Sequence, residues 1–399
     1  MINWPLAVST WGDEEVDAMN SVIKSGFFSM GQLTKQFEEE FAKWAGSRFA
    51  LMVNSGSSAN LIAATGLRYT RNKSTAKNAN LLQEVIVPAV SWSTTFFPFF
   101  QNRYKLVFVD VDENTFNINT QRVEQAITQN TVGICGVNLL GSPASWDEIK
   151  NIARKNNLWT FEDNCESMGA IIGDKKTGTF GDVGTFSFFF SHHICTMEGG
   201  MILCDDEELY LAMRSLRAHG WSRELGDSDT FLGEPRRSAW EENFRFYLPG
   251  YNVRPIELAA AVGLEQLKKF DFLLDQRKRN ANILLSELEL KKTDWQLQAQ
   301  NGDSSWFTFG FVNKNLKFGN SRREKLIKLL DQNGIQSRPI VAGDFTRNPV
   351  YHYLEAEING SLEGAGRIHN SGFMVGNHHL DLTEQIRIFC DLLVESEKQ

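Results

Sequence analysis

The 399-residue sequence lacks the features that mark several classes of protein. It contains no run of about 18 apolar residues, the length that crosses a membrane, and it opens without a basic stretch followed by an apolar one. Basic and aromatic residues are not interleaved, and 41 Lys and Arg against 49 Asp and Glu give a net charge of -8. We therefore expect a soluble cytoplasmic protein that binds neither membranes nor nucleic acids.

The cysteines are too few and too scattered for a metal site or a disulfide framework. None belongs to a CxxC pair or to a cluster of Cys and His, and their number is odd. This pattern argues against zinc and iron–sulfur sites, so no metal is expected, and it indicates a reducing compartment. The five are Cys135, Cys165, Cys195, Cys204 and Cys390.

Hydrophobic residues make up 42% of the chain, including 29 Phe, which is enough for a large core and for two domains, or one domain with an appendage. Short apolar runs alternate with segments of helical period, as is typical of α/β proteins with a mostly parallel sheet. The predicted strands are 49–53, 84–87, 105–109, 132–137 and 158–161, with helices that include 13–24, 34–42, 120–129 and 145–156.

The second half of the chain predicts a smaller unit. Residues 222–245 are polar, charged and rich in glycine, which favours a long mobile loop. A helix over 256–288 is long enough to link two domains, and a strand at 306–312 and an amphipathic helix at 322–333 indicate a smaller α+β unit. We place the large domain at 1–262 and the linking helix with the small domain at 263–399.

Polar residues follow several of the predicted strands. Ligands of parallel sheets bind beyond the carboxyl ends of the strands, and the residues found there are Gly56, Ser57, Trp92, Asp163 and His192. The first two lie in a Gly/Ser turn before a helix. Such a turn is either a phosphate site at a helix N-terminus or an ordinary connection capped by serine.

Together these residues suit pyridoxal phosphate. Its phosphate needs N–H groups and hydroxyls, its flat ring needs a stacking face such as Trp92, and its protonated nitrogen needs a carboxylate such as Asp163. Taken singly, Trp92 is more commonly a loop aromatic folded into the core, and Asp163 is more commonly a turn residue or helix cap. Their coincidence at successive strand ends favours the cofactor.

A pair of histidines, His192 and His193, lies between two apolar runs and therefore on a loop held from both sides. Such a pair, taken alone, is more commonly structural than catalytic. Because neighbouring residues of an extended loop face opposite ways, only one of the two can address a ligand.

Five segments in order resemble one family over nearly the whole chain: NSGSSAN at 54–60, PAVSWSTT at 88–95, EDNCESMGA at 162–170, MEGG at 197–200 and GYNVRP at 250–255. They are similar to the sugar-nucleotide aminotransferase/dehydratase family of fold type I vitamin B6 enzymes. Most members carry a Schiff-base lysine six residues before the Glu of a Gly-Glu-Gly-Gly motif. Here that position is His192, and Met197 replaces the first glycine.

The resemblance implies a fold type I, aspartate aminotransferase-like large domain with a mostly parallel seven-stranded sheet, a smaller C-terminal α+β domain, and a homodimer with shared active sites. It implies pyridoxal 5'-phosphate or pyridoxamine 5'-phosphate as cofactor. Since an imidazole forms no stable imine but carries protons near neutral pH, His192 resembles the acid/base of the family's 3-dehydratases. Such an enzyme converts GDP-4-keto-6-deoxymannose to GDP-4-keto-3,6-dideoxymannose in colitose-type biosynthesis, and L-glutamate restores the amine cofactor.

Other site residues carry over from the family onto matching positions. Glu166 resembles a residue beside the ring, Ser187 a phosphate ligand, and Asn252 a residue that the partner subunit offers to the phosphate. Their plain alternatives are a solvated helix-start carboxylate, a strand serine and a turn asparagine. The substrate-side residues that the resemblance implies are Ser29, Met30, Gly31, His219 and Arg338, and the last two have structural roles as the alternative.

Two other functions stay open at this point. An aminotransferase of the same fold is opposed by His192, because without a lysine the chain lacks a covalent resting state. A catalytically silent cofactor-binding protein is opposed by Asp163 and Glu166, since such a protein needs no electron sink. Release of ammonia from a keto-sugar nucleotide in the presence of glutamate would separate the three.

Overall fold

The structure is a computed structural model that describes residues 2–71, 82–225, 230–235, 237–315, 317 and 319–398. The helices are α1 Asp13–Ser25, α2 Gln32–Ala45, α3 Gly56–Arg71, α4 Ser93–Gln101, α5 Thr120–Ala126, α6 Trp146–Lys155, α7 Glu207–Arg217, α8 Ala239–Glu242, α9 Glu257–Lys291, α10 Gly319–Gln332, α11 Glu363–Ser371 and α12 Thr383–Glu397. The strands are β1 Phe49–Val53, β2 Glu84–Pro88, β3 Lys105–Val109, β4 Thr131–Val137, β5 Trp159–Asp163, β6 Ile171–Ile172, β7 Lys175–Lys176, β8 Val183–Ser187, β9 Gly200–Cys204, β10 Thr230–Phe231, β11 Glu234–Pro235, β12 Trp295–Leu297, β13 Thr308–Asn313, β14 Ser337–Arg338, β15 Ala356–Ile358 and β16 Phe373–Gly376.

The large sheet has the order β1-β9-β8-β5-β4-β2-β3-β15. Its strands from β8 to β15 run parallel, and β9 is antiparallel to both of its neighbours, β1 and β8. The predicted α/β class with a mostly parallel sheet is confirmed. The sheet has eight strands instead of the expected seven, because the short strand β15 from the C-terminal third pairs with the edge of β3.

Alternate residues of the central strands enter two different cores, because successive side chains of a strand point to opposite faces. Val85 and Val87 pack into a core with Phe96 and Phe99 of α4. Ile86, between them, packs into a second core with Trp146 of α6. Both faces of the sheet are therefore covered, which explains the continuous apolar runs of its parallel strands.

The long helix α9 joins this sheet to the smaller unit. It packs against α1 and α2 and also against α12. The smaller unit is an antiparallel sheet, β12-β13-β16-β14, with its own aromatic core that includes Trp295, Phe311, Phe373 and Phe389. The division at residue 262 falls inside α9 and stays a prediction.

The expectation of one long mobile loop over 222–245 is wrong for the described part of that segment. Residues Ser222–Leu225 form a 3-10 helix, β10 pairs with β11, and α8 begins at a capping box of Ser238 and Glu241. Trp221 then stacks on Phe244 with ring centroids 5.6 Å apart. Composition misled here because aromatic stacking and local caps order a polar segment that has no apolar period.

Among the described residues, no helix combines the length and apolar character needed to span a membrane. The described cysteines are all free. The cytoplasmic location stays a prediction.

Candidate active site

Strands β2, β4, β5 and β8 lead at their carboxyl ends to one cavity of about 550 Å³, here called the main cavity. The smaller unit closes its other side with Phe307, Pro339 and Met374. Eight of the residues predicted from the sequence line it: Gly56, Ser57, Trp92, Asp163, Glu166, Ser187, His192 and Arg338.

The Gly/Ser turn enters α3 directly beside the end of β8. A Cβ atom on Gly56 would lie 2.5 Å from Ser187 Cβ, so only glycine allows the two segments to approach this closely. Ser57 Oγ donates to Thr94 Oγ1 at 2.9 Å, which ties the turn to α4. Hydroxyls and the first N–H groups of α3 thus meet in the main cavity, the arrangement that binds a phosphate.

Asp163 is the last residue of β5 and is buried. Its Oδ2 accepts hydrogen bonds from Asn60 Nδ2 at 2.9 Å and from Thr95 Oγ1 at 2.8 Å. Its Oδ1 accepts from the Cys165 N–H at 3.2 Å. Three neutral donors therefore stabilise the carboxylate inside the cavity without neutralising it, which leaves its charge for a cationic ligand atom.

Sequence reasoning missed Asn60 and Thr95 as partners of this carboxylate. Both lie in the motifs already singled out, Asn60 four residues after Gly56 and Thr95 three residues after Trp92. Residues with this spacing lie on one face of a helix. This spacing from Gly56 and Trp92 could have identified Asn60 and Thr95 from the sequence.

Glu166 lies close enough to Asp163 for the two charges to interact. Burial raises the pKa of Glu166 to about 7, the Leu140 N–H that donates to Oε2 at 2.9 Å opposes this, and the charge of Asp163 adds to it. A carboxyl with such a pKa exchanges protons near neutral pH. Glu166 is half-buried and lines the main cavity, which disfavours the alternative of a solvated helix-start carboxylate.

Trp92 immediately precedes α4, and 59% of its surface is exposed. It lines the main cavity instead of entering either core, so the interpretation as a core aromatic is wrong. Its ring is free of aromatic partners in the described part of the chain, which leaves a face for a flat ligand.

The two histidines face opposite ways, as expected for neighbours on a loop. His192 lines the main cavity, and its buried Nδ1 has no hydrogen-bond partner among the described residues. Burial lowers the pKa of His192 to about 4, and the positive charge of Arg277 adds to this, so the ring is neutral at pH 7. His193 is buried away from the cavity, with Nε2 3.2 Å from the carbonyl oxygen of Ser305.

The structure does not bring every predicted residue into the main cavity. Ser29, Met30 and Asn252 lie together in a second cavity of about 560 Å³, where Asn252 Oδ1 accepts from Arg254 Nε at 3.0 Å. Gly31 precedes α2 and donates its N–H to Glu257 Oε1 at 2.8 Å. His219 is exposed and outside both cavities, and its N–H donates to the carbonyl oxygen of Tyr251 at 2.6 Å.

A model of the DegT/DnrJ/EryC1/StrS aminotransferase family matches residues 10–393. The chain belongs to this family. The position at which the resemblance implies a Schiff-base lysine is His192 here, and no lysine is among the described residues that line the main cavity.

Several relatives within the DegT/DnrJ/EryC1/StrS family share a narrower name. GDP-4-keto-6-deoxy-D-mannose 3-dehydratase of Yersinia pseudotuberculosis is 44% identical over 394 residues, which cover 98% of this chain and 98% of that protein. The Escherichia coli enzyme of that name with bound hydrated PLP has a TM-score of 0.92 at 43% identity, covering 98% of this chain and 100% of that one. A GDP-4-keto-6-deoxymannose-3-dehydratase with a trapped PLP–glutamate geminal diamine has a TM-score of 0.92 at 42% identity, with the same coverage.

The residues of the main cavity fit the pyridoxal-type cofactor of this family. Asp163 offers a buried carboxylate to a pyridinium nitrogen, Trp92 offers a stacking face, and the turn at Gly56 offers N–H groups to a phosphate. The predicted fold type, family and cofactor are confirmed.

Proposed function

We propose that this protein is a pyridoxamine-phosphate-dependent 3-dehydratase that converts GDP-4-keto-6-deoxymannose to GDP-4-keto-3,6-dideoxymannose. The observation that carries the proposal is His192, a neutral imidazole at the family's lysine position in a cavity that otherwise retains the cofactor's partners. The similar proteins that bear this enzyme's name support the choice of substrate.

Bound pyridoxamine phosphate supplies an amine that condenses with the 4-ketone and a ring that takes up electrons as the 3-hydroxyl leaves. Asp163 would keep the ring nitrogen protonated, because Asn60 and Thr95 hold its carboxylate in place. Ser57 and Ser187 would hold the phosphate, and Trp92, which lines the same cavity, would offer a stacking face to the ring.

His192 moves the protons. With a pKa of about 4 it is a neutral base, which would accept the proton released at the cofactor and pass it to the departing 3-hydroxyl oxygen, which would leave as water. Glu166, with a pKa of about 7, lies in the same cavity as a group that can hold a proton near the ring. No step requires a covalent bond between protein and cofactor.

Glutamate would restore the amine form of the cofactor, as the PLP–glutamate adduct of a similar protein suggests. The atoms of the whole cycle balance as one keto-sugar and one glutamate in, and one dideoxysugar, one 2-oxoglutarate and one ammonia out. An aminotransferase would give an amino sugar and 2-oxoglutarate without ammonia, and a silent protein would give neither. The absence of a lysine among the described lining residues opposes the aminotransferase.

A homodimer with shared active sites is part of the proposal. Ser29, Met30 and Asn252 lie outside the main cavity of their own chain, so a second subunit has to supply them if they act there. Exposed apolar side chains near the cavity and the Asn252 segment support this arrangement, since a monomer rarely leaves so many uncovered. They include Phe189, Phe190, Met197 and Ile256.

The test is a product analysis. Purified protein loaded with pyridoxamine phosphate is incubated with GDP-4-keto-6-deoxymannose and glutamate, and the sugar nucleotide, ammonia and 2-oxoglutarate are quantified. We expect a product that lacks one oxygen, with equal amounts of ammonia and 2-oxoglutarate. An amino sugar without ammonia would replace this proposal by the aminotransferase. Parallel reactions with other 4-keto-6-deoxy sugar nucleotides test the substrate.

A further inference from the structure

Arg277 of α9 is a buried cation behind the histidine loop. Its side chain is 4% exposed, and Nη1 donates to the carbonyl oxygen of Phe307 at 2.9 Å and to that of Asn377. Among the described residues, these carbonyl oxygens are its hydrogen-bond partners, and no carboxylate forms an ion pair with it. Burial lowers the pKa of Arg277 to about 10, so it stays charged at neutral pH. A buried charge without a counter-ion is costly, which calls for a function.

The guanidinium holds the segment against which the histidines pack. The Ser305 carbonyl oxygen lies 3.2 Å from His193 Nε2, and Asn377 Nδ2 donates to the Trp306 carbonyl oxygen at 2.8 Å. The Phe307 carbonyl is held by Arg277 itself. Three successive carbonyls are therefore fixed, even though Trp306 between them has a positive φ of 49°.

Phe307 connects this fixed segment to the main cavity. Its ring centroid lies 5.2 Å from that of His192 and 5.5 Å from that of His193. Phe307 and His192 both line the main cavity. A shift of the Phe307 backbone would therefore move the wall that sets the orientation of the His192 ring.

The charge of Arg277 also acts on the histidines. It lowers the pKa of His192 and His193 after the larger effect of burial, and it acts in the same direction on His378 and His379. The other charged groups around the main cavity are Asp163 and Glu166 at the end of β5, Glu198 on the histidine loop and Arg338 on β14. The charge of Lys269 also lowers the pKa of His379.

We propose that Arg277 is a positioning residue for the reaction, which fixes Phe307 against His192 and keeps an uncompensated positive charge behind the imidazole so that His192 enters each turnover as a neutral base. The role of His192 as base rests on the proposed function. The neutrality of His192 and its dependence on Arg277 do not, because both can be measured without substrate.

The test combines NMR titration of isotope-labelled histidines with pH profiles of turnover, both on the pyridoxamine-phosphate-loaded protein. His192→Asn identifies the His192 signal. In the unmodified protein, His192 should stay neutral throughout the range from pH 6 to 9. In Arg277→Gln, which keeps an N–H donor but removes the charge, its pKa and the acidic limb of kcat should both rise by about one unit or more. Arg277→Lys should keep the pH dependence and lower kcat without raising KM.

Lys278→Met is the matched control, since Lys278 is the next residue of α9 and pairs with Asp303 at 2.6 Å. It removes one positive charge from the same helix turn and should leave the His192 titration unchanged. An unaltered titration in folded Arg277→Gln would overturn the inference, and so would a His192 pKa near 6.5 in the unmodified protein, even if no Arg277 variant folds. If His192 is neutral but the protein has no dehydratase activity, the proposed function is contradicted and the effect of Arg277 on His192 is not.

Discussion

The hydroxyl of Thr95 donates a hydrogen bond to Asp163 Oδ2 at 2.8 Å across 68 positions of the chain. Thr95 belongs to the helix after β2, and Asp163 ends β5, with β4 between these strands in the sheet. The bond also receives support from Ser91, whose Oγ lies 2.9 Å from Thr95 Oγ1. The orientation of the Asp163 carboxylate thus depends on the segment that carries Ser91 and Thr95.

Replacement of Thr95 by valine should show this dependence. Valine keeps the shape but removes the donor, which costs about 1–3 kcal/mol at a buried charged acceptor. We expect kcat to fall by roughly tenfold or more while pyridoxamine phosphate still binds. Thr70→Val is the control, because the Thr70 hydroxyl donates to the Gly66 carbonyl oxygen at 2.9 Å within α3, away from the cavity. Equal kinetic losses in the two variants would contradict a specific role.

Replacement of Asp163 by asparagine should reduce catalysis far more than cofactor binding. The amide would no longer stabilise a protonated ring nitrogen, whereas Ser57 and Ser187, which would hold the phosphate, are unchanged. We expect kcat to fall by roughly 100-fold or more, with a change in the Kd of pyridoxamine phosphate of less than about tenfold. Asp182→Asn, at a carboxylate that accepts from Thr160 at the other end of β5, is the control. Unchanged turnover in Asp163→Asn would refute the proposed role of Asp163 in keeping the cofactor ring an electron sink.

The raised pKa of Glu166 predicts a pH-dependent stability difference. The folded chain holds the Glu166 proton up to a pH of about 7, but the unfolded chain releases it near 4.5. Between these values the folded state binds more protons, so the free energy of unfolding falls as pH rises. Glu166→Gln removes this loss, so its free energy of unfolding should rise relative to that of the unmodified protein by up to roughly 3 kcal/mol across this window.

Urea unfolding at pH 5 and pH 8 measures the effect of Glu166→Gln, with surface variant Glu148→Gln as the control. Effects of the histidines cancel, since they are present in every variant. If the free energy of unfolding changes by the same amount between pH 5 and pH 8 in Glu166→Gln and in the unmodified protein, Glu166 does not carry the buried proton.

The role of His192 can be tested by two substitutions at that position and one at its neighbour, His193. His192→Asn should bind cofactor and sugar but lose elimination by roughly 100-fold to 10,000-fold, because an amide takes up no proton. His192→Lys should bond covalently to pyridoxal phosphate, which borohydride reduction followed by mass measurement of the protein detects. His193→Asn should lower stability through the Ser305 contact and leave elimination in place. The reverse pattern, with activity lost at His193 and kept at His192, would show that the family's lysine position is misassigned.

The shared-site arrangement predicts complementation between two inactive variants. Asn252→Asp should repel the phosphate of the partner subunit's cofactor, and His192→Asn should inactivate its own site. In a mixed dimer both defects fall in one site and the other site is intact. Mixing the two variants under subunit exchange should therefore restore activity to about one quarter of the unmodified level. A mixture that stays inactive although it forms mixed dimers would place Asn252 elsewhere.

The sequence by itself determined the architecture and the main participants. The predicted bounds of the strands at Phe49–Val53 and Lys105–Val109 agree with the structure, because a short continuous apolar run is a local property of the sequence. The Gly/Ser turn, Trp92, Asp163 and His192 could be placed in one cavity because parallel strands end at one edge of a sheet. His192 at the lysine position distinguished the chemistry.

Tertiary structure alone decided how those participants are held. The bonds from Asn60 to Asp163 and from Leu140 to Glu166 join residues 103 and 26 positions apart. Arg277 reaches Phe307 from a helix that has no motif at this position. Such contacts depend on how separate elements pack, and local periodicity does not encode that packing. For the same reason, composition could not show that β15 would extend the large sheet or that aromatic stacking would order the segment around Trp221.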